Sequence, residues 1–229
     1  PEIHEIDGRL TILFMAGYGN TWSNGKSVYM QLKQDADGHD LDPADPDNWT
    51  VPTPIYRNDA SLLNGNKQLA ATASGGVGMS LDMTYFQDAD GRSYYAWQQL
   101  GATYIATMDP KDPAHVTSSP VRIVTPEYAW NAAIAEGPNV TLRDGKLYLM
   151  FSGSGVGKTY TTGLAVADAS GTDLTDPASW TVLNYPIQKS GPFNGEMQLG
   201  TGHGMWSEDE DGNQIYVFHA YATKNLGSV

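Results

Sequence analysis

Three ionisable residues stand eight positions ahead of a turn aspartate: Asp82 ahead of Asp90, Glu136 ahead of Asp144 and His203 ahead of Asp211. Each opens a run of alternating apolar residues closed by an acidic-Gly turn, in DMTYFQDADG, EGPNVTLRDG and HGMWSEDEDG. That pattern reads as the first strand of a hairpin. Two carboxyl groups and an imidazole brought to one place are the parts of acid/base chemistry, because burial and neighbouring charge can hold one carboxyl protonated while another ionises. Glu2, five residues before Asp7, is the counterpart in the opening segment if that hairpin is shorter. The competing reading is that these polar residues only satisfy backbone groups at strand starts.

What would gather them is a repeat. PEIHEIDGRLTILFMAG shares the polar start, apolar alternation and acidic-Gly turn of the other three segments, and a second motif recurs as DPDNWT, DPAHVT and DPASWT, from Asp45, Asp112 and Asp176. Before each motif lies a further strand candidate, SVYMQL, ATYIATM or TGLAVAD, giving about four strands per unit. Long amphipathic helical windows are absent. Four-stranded units at a regular spacing predict an all-β β-propeller, in which the innermost strand of each blade lines a central channel. Residues 1–229 then form part of a single propeller domain, with about three and a half blades present. Ring closure calls for more sequence before Pro1 and after Val229. Trp49 and Trp180, inside two of the Asp-Pro motifs, read as packing residues.

Composition narrows the partners. The 229 residues carry a net charge of −13 and no cysteine. That charge disfavours nucleic acid and anionic membranes, and the missing thiols exclude disulfides and thiolate chemistry. No apolar run approaches membrane-spanning length. The stretch GSGVGKT, Gly153 to Thr159, imitates a phosphate loop, but Ser152 stands where its first glycine is required and TTGLAVADAS continues as a strand rather than a helix. It is a hairpin loop, with Lys158 a solvated turn residue. His4-Glu5 lacks the second histidine of a zinc-protease helix, since Gly8 takes its place. QDADG, EDEDG and QDADGHD are turns without the closing glutamate of a calcium loop. The sequons at Asn48 and Asn139 do not discriminate among functions.

SLDMTYF, YYAW, ATYIATM, IVTPEYAWN, AEGPNVTLRDGKLYLMFSGSG and TGHG together resemble glycoside hydrolase family 43, specifically its α-L-arabinofuranosidase-like members. PEIHEIDGRLTILF resembles the segment that opens the family's second blade. The resemblance implies a five-bladed propeller that hydrolyses arabinofuranosides or xylosides with inversion. It makes Glu136 the general acid and Asp82 the residue that orients it and tunes its pKa. His203 becomes the channel histidine, which in some members helps hold a cation through water. No cofactor is required, and a calcium or sodium ion in the channel is compatible. The family's general base is an aspartate of the first blade, ahead of the PEIH-like segment and so outside this chain. The Asp-Pro pairs at Asp42, Asp45, Asp109, Asp112 and Asp176 lie in outer or connecting positions. Trp130, beside the acid, and Trp22, in GYGNTWSNG, are candidates for stacking on a sugar, with Glu2 and His203 as polar contacts. The implied partner is an arabinose- or xylose-containing oligo- or polysaccharide met outside the cell or at its surface. The alternative is a non-catalytic carbohydrate-binding propeller, or an inactive fragment lacking the base.

Overall fold

The computed structural model describes residues 1–17, 25–61, 63 and 79–221. Four antiparallel meanders follow one another. The first comprises β1 (Glu2–Ile6), β2 (Arg9–Gly17), β3 (Gly25–Gln31) and β4 (Thr53–Pro54). The second comprises β5 (Tyr56–Arg57), β6 (Leu81–Gln87), β7 (Ser93–Gln99), β8 (Ala102–Met108), β9 (His115–Val116) and β10 (Val121–Val124). Its outer edge is closed by β5, which leaves the first sheet and pairs in parallel with β9. The third holds β11 (Ala135–Arg143), β12 (Lys146–Gly153), β13 (Thr161–Asp168) and β14 (Thr181–Val182). The fourth holds β15 (Gly191–Phe193), β16 (Glu196–Glu208) and β17 (Gln214–Tyr221). Among the described residues the helical pieces are single 3-10 turns, and no helix is long and apolar enough to cross a membrane. The sheets are blades of a β-propeller, with β1, β6, β11 and β16 innermost.

Alternation along the middle strands makes the core. β7 is buried throughout, and its side chains part to opposite faces. Tyr95 and Trp97 join Ile6, Leu13 and Val116 between the first two blades, while Tyr94 and Ala96 join Leu147, Leu149 and Phe151 between the second and third. The acidic turns have one shared construction. Asp35, Asp88 and Asp209 each accept, on a single carboxylate oxygen, the backbone N–H groups two and four residues on, at 2.8–3.0 Å. These carboxylates are committed to their own loops, which is turn chemistry. Asp45 and Asp176 cap the 3-10 turns Pro46–Asn48 and Pro177–Ser179, and the Trp180 indole donates to Leu174 O at 2.9 Å. GSGVGKT joins β12 to β13 as a strand connection.

Candidate active site

Each of β6, β11 and β16 is interrupted near its start by a bulge. Leu81 pairs with Gln98 but Thr84 with Ala96; Glu136 pairs with Ser152 but Asn139 with Met150; Gly202 pairs with His219 but Met205 with Val217. Two residues therefore oppose one, and the first of each two is left-handed: Asp82 at φ 55°, Gly137 at 58° and His203 at 47°. A bulge of this kind re-aims the side chain it carries and bends the strand. The true equivalents are thus Asp82, Gly137 and His203, and Glu136 stands one residue earlier. The offset combines two differences: the aspartate opens one kind of turn but sits third in the other, and β11 carries one more residue between its bulge and its turn than β6 or β16. Asp144 and Asp7 open two-residue turns with Gly145 and Gly8, all four at positive φ, whereas Asp90 and Asp211 sit third in longer loops. By the same count Glu2 matches Asn139 rather than Glu136. The two touch across the channel, Asn139 Nδ2 donating to Glu2 Oε1 at 3.0 Å.

Although out of register, Glu136 meets the other two. The Gly137 N–H donates to Asp82 Oδ2 at 3.2 Å, and Asp82 Oδ1 lies 3.8 Å from His203 Nε2. Tyr160 Oη donates to Glu136 Oε1 at 2.6 Å, and the same oxygen lies 3.4 Å from His203 Nδ1. A cavity of about 570 Å³ opens onto Glu2, Asp82, Gly137 and His203, with apolar walls from Leu13 and Met205. Glu136 is only 9% exposed and stands behind this wall, beside Gly137.

The electrostatics follow from that arrangement. Burial raises the Glu136 carboxyl; the Tyr160 hydrogen bond opposes this, and the charge of Asp82 adds to it. Asp82 is itself pushed up to about 6, first by burial, with the Gly137 N–H pulling down and Glu2 pushing up. Burial lowers the His203 imidazole despite the attraction of Glu136. Two neighbouring carboxyls, both raised by burial, can exchange a proton with a bound group as pH changes.

Other sequence candidates fall elsewhere. Trp130 does not line the channel cavity. It sits in the 3-10 turn Ala129–Asn131, partly buried against the core, stacked on Tyr128 at 6.2 Å and donating to Asn184 O at 3.1 Å. Trp22 lies outside the described residues. Glu2 does line the cavity, with its second oxygen 2.8 Å from His4 Nε2. Sequence reasoning missed Tyr160 and its neighbour His219, whose ring stacks on it at 5.7 Å. The available signal was position: Tyr160 closes the glycine loop at the same blade end as Glu136, since Glu136 pairs with Ser152 and Thr162 does too.

The fold and this site define a β-propeller with two raised carboxyl groups, Asp82 and Glu136, beside its channel mouth. The model of glycosyl hydrolases family 43 matches residues 1–228, and the chain belongs to that family. A relative from Streptomyces avermitilis, an extracellular exo-alpha-(1->5)-L-arabinofuranosidase, is 28% identical over 237 residues, covering 99% of this chain and 43% of its own. One of the same name from Streptomyces chartreusis is 33% identical over 159 residues, covering 64% of this chain and 46% of its own. The chain therefore spans less than half the length of these curated relatives. Among solved structures, an alpha-L-arabinofuranosidase from Lactobacillus brevis superposes with a TM-score of 0.76 at 24% identity, over 100% of this chain and 66% of that one. It supports the propeller fold.

Proposed function

We propose that this propeller belongs to an inverting glycosidase that releases α-L-arabinofuranosyl, or β-xylosyl, residues from oligo- or polysaccharides. The observation that carries the reading is Glu136: a buried, raised carboxyl in a hydrogen bond to Tyr160 and one residue from the N–H that holds Asp82. Glu136 protonates the leaving oxygen, its carboxyl raised first by burial and further by the charge of Asp82, and Asp82 orients that region. In an inverting reaction the second carboxylate activates water across the sugar ring, roughly 6.5–9.5 Å from the acid. Asp82 stands on the acid's own side. Both Glu2 oxygens are engaged, with His4 and Asn139. Water activation is therefore assigned to the aspartate that the family resemblance places in the first blade.

This proton chemistry needs no cofactor. A hydrated calcium or sodium ion would be held through water by His203, with Glu2 and Asp82 as the nearby anionic groups, and would supply positive charge only. Polymeric substrate implies action outside the cell or at its surface, the setting in the names of both Streptomyces relatives.

The test is hydrolysis of aryl α-L-arabinofuranosides by the protein carrying its first blade. Glu136→Gln should cut turnover by about 10²–10⁴-fold with a poor leaving group, and far less with an activated one that needs little protonation. Equal loss on both would remove Glu136 from the acid role. Binding of arabinosides without turnover in the unsubstituted protein would make it a carbohydrate-binding propeller instead.

A further inference from the structure

A second depression opens beside the segment that leads from the glycine loop into β13. About 350 Å³ in volume, it is walled by Trp130, Ser154, Lys158, Thr159, Thr161 and Lys189 among others, and no carboxylate is among its lining residues. In a chain of net charge −13 that is an unusual wall. Neither lysine is in an ion pair among the described residues. Ser154 and Thr159 hydroxyls bond each other at 3.1 Å, and since only one donates in that bond, one O–H stays free for a ligand. Ser190 fixes the rim, donating to Lys158 O at 2.7 Å and accepting from the Gly200 N–H at 2.8 Å. The Trp130 ring keeps part of its surface open, with its N–H already satisfied.

The depression is tied to the proton-transfer site through Tyr160, which immediately precedes β13. Thr159 and Thr161 line the depression, while Tyr160 between them reaches Glu136. Tyr160 thus stands between the depression and the Glu136 carboxyl. The volume falls near the lower end of small-molecule sites, about 300–1,000 Å³, and suits one sugar ring.

We propose that this depression is a subsite for a carboxylated sugar, a uronate residue on the same polysaccharide. Lys158 and Lys189 bind the carboxylate, the free hydroxyl of the Ser154–Thr159 pair donates to it or to a ring hydroxyl, and the apolar sugar face lies on Trp130. The inference rests on the glycosidase reading for its substrate class. The overall negative charge opposes indiscriminate anion binding, so recognition is confined to this local positive spot.

The test compares a xylo-oligosaccharide bearing one glucuronate with the same compound reduced at its carboxyl to the neutral sugar, titrated calorimetrically against the protein and a Lys158→Gln/Lys189→Gln variant. The acidic ligand should bind the unsubstituted protein about 5–10-fold more tightly than the neutral one. The variant should abolish that preference while leaving aryl arabinofuranoside hydrolysis unchanged. Equal binding of the two ligands, or a preference that survives the double substitution, overturns the subsite. So does displacement of the acidic ligand by equimolar inorganic phosphate, which would mark a site for small anions. Loss of the glycosidase reading shows separately, as absent aryl-glycoside hydrolysis with the acidic preference intact.

Discussion

Asp82 is a group whose protonation is tied to folding. Its carboxyl ordinarily titrates near 3.8 and is pushed up to about 6 in the fold, first by burial. The folded state therefore binds the proton more tightly than the unfolded chain, and stability falls as pH rises between those two values, then stays low above them. The side chain keeps 20% of its exposure, so water reduces the penalty to about 1–2 kcal/mol. Asp82→Asn, whose amide oxygen can still accept from the Gly137 N–H, should raise the melting midpoint at pH 8 and leave it nearly unchanged at pH 4. Its alkaline activity limb should move to lower pH, because Glu136, raised first by burial, loses the further push of the neighbouring charge. Identical gains at both pH values would mean that Asp82 bears no burial penalty.

Among the strands, the site depends on how closely β16 approaches the loop before β13. A Cβ at Gly202 would fall 2.5 Å from Tyr160 Cδ1, and the ring cannot retreat freely because His219 is stacked on it. Gly202→Ala should cost about 1–3 kcal/mol by overpacking and displace the Tyr160 hydroxyl from Glu136, lowering turnover as well as thermal stability. Gly155→Ala in the same glycine loop, where an added Cβ meets nothing within 4 Å, should stay within about 0.5 kcal/mol of the unsubstituted protein. If both behave alike, the close approach does not position Tyr160. Alternation and acidic-Gly turns made β6, β11 and β16 legible from sequence, and with them Asp82 and His203. The one-residue error at Glu136 arose because the aspartate sits two places later in the longer loops while β11 is one residue longer between bulge and turn, neither of which counting from an aspartate can detect. Tyr160 stayed hidden because its partner is 24 residues away in another strand. Trp130 is a candidate for stacking on a sugar from its nearness in sequence to the acid, and its turn packs it against Phe151 at 6.0 Å, away from the channel cavity.

Across the whole propeller the blades are not joined alike. Two apolar clusters bind the first three sheets, whereas the fourth meets the third through the Tyr160 ring, packed on Gly202 and His219, and through polar contacts: the His203 backbone N–H to Ser152 Oγ at 2.7 Å, Trp206 Nε1 to Tyr148 O at 3.2 Å and Thr162 to the Tyr216 hydroxyl at 2.6 Å. Opening that joint exposes less apolar surface, so native-state hydrogen exchange should find β17 amides opening at a lower free energy than those of β7. Protection of β17 equal to that of β7 would show that these polar contacts hold as firmly as the clusters. Asp82 and His203 add a different consequence. Each occupies a left-handed backbone position that glycine would adopt without steric cost, at roughly 1–2 kcal/mol of relief. A lineage selected for heat tolerance alone would drift toward glycine at these two bulges, and its descendants would be sturdier proteins that had lost a carboxylate and an imidazole from the channel mouth.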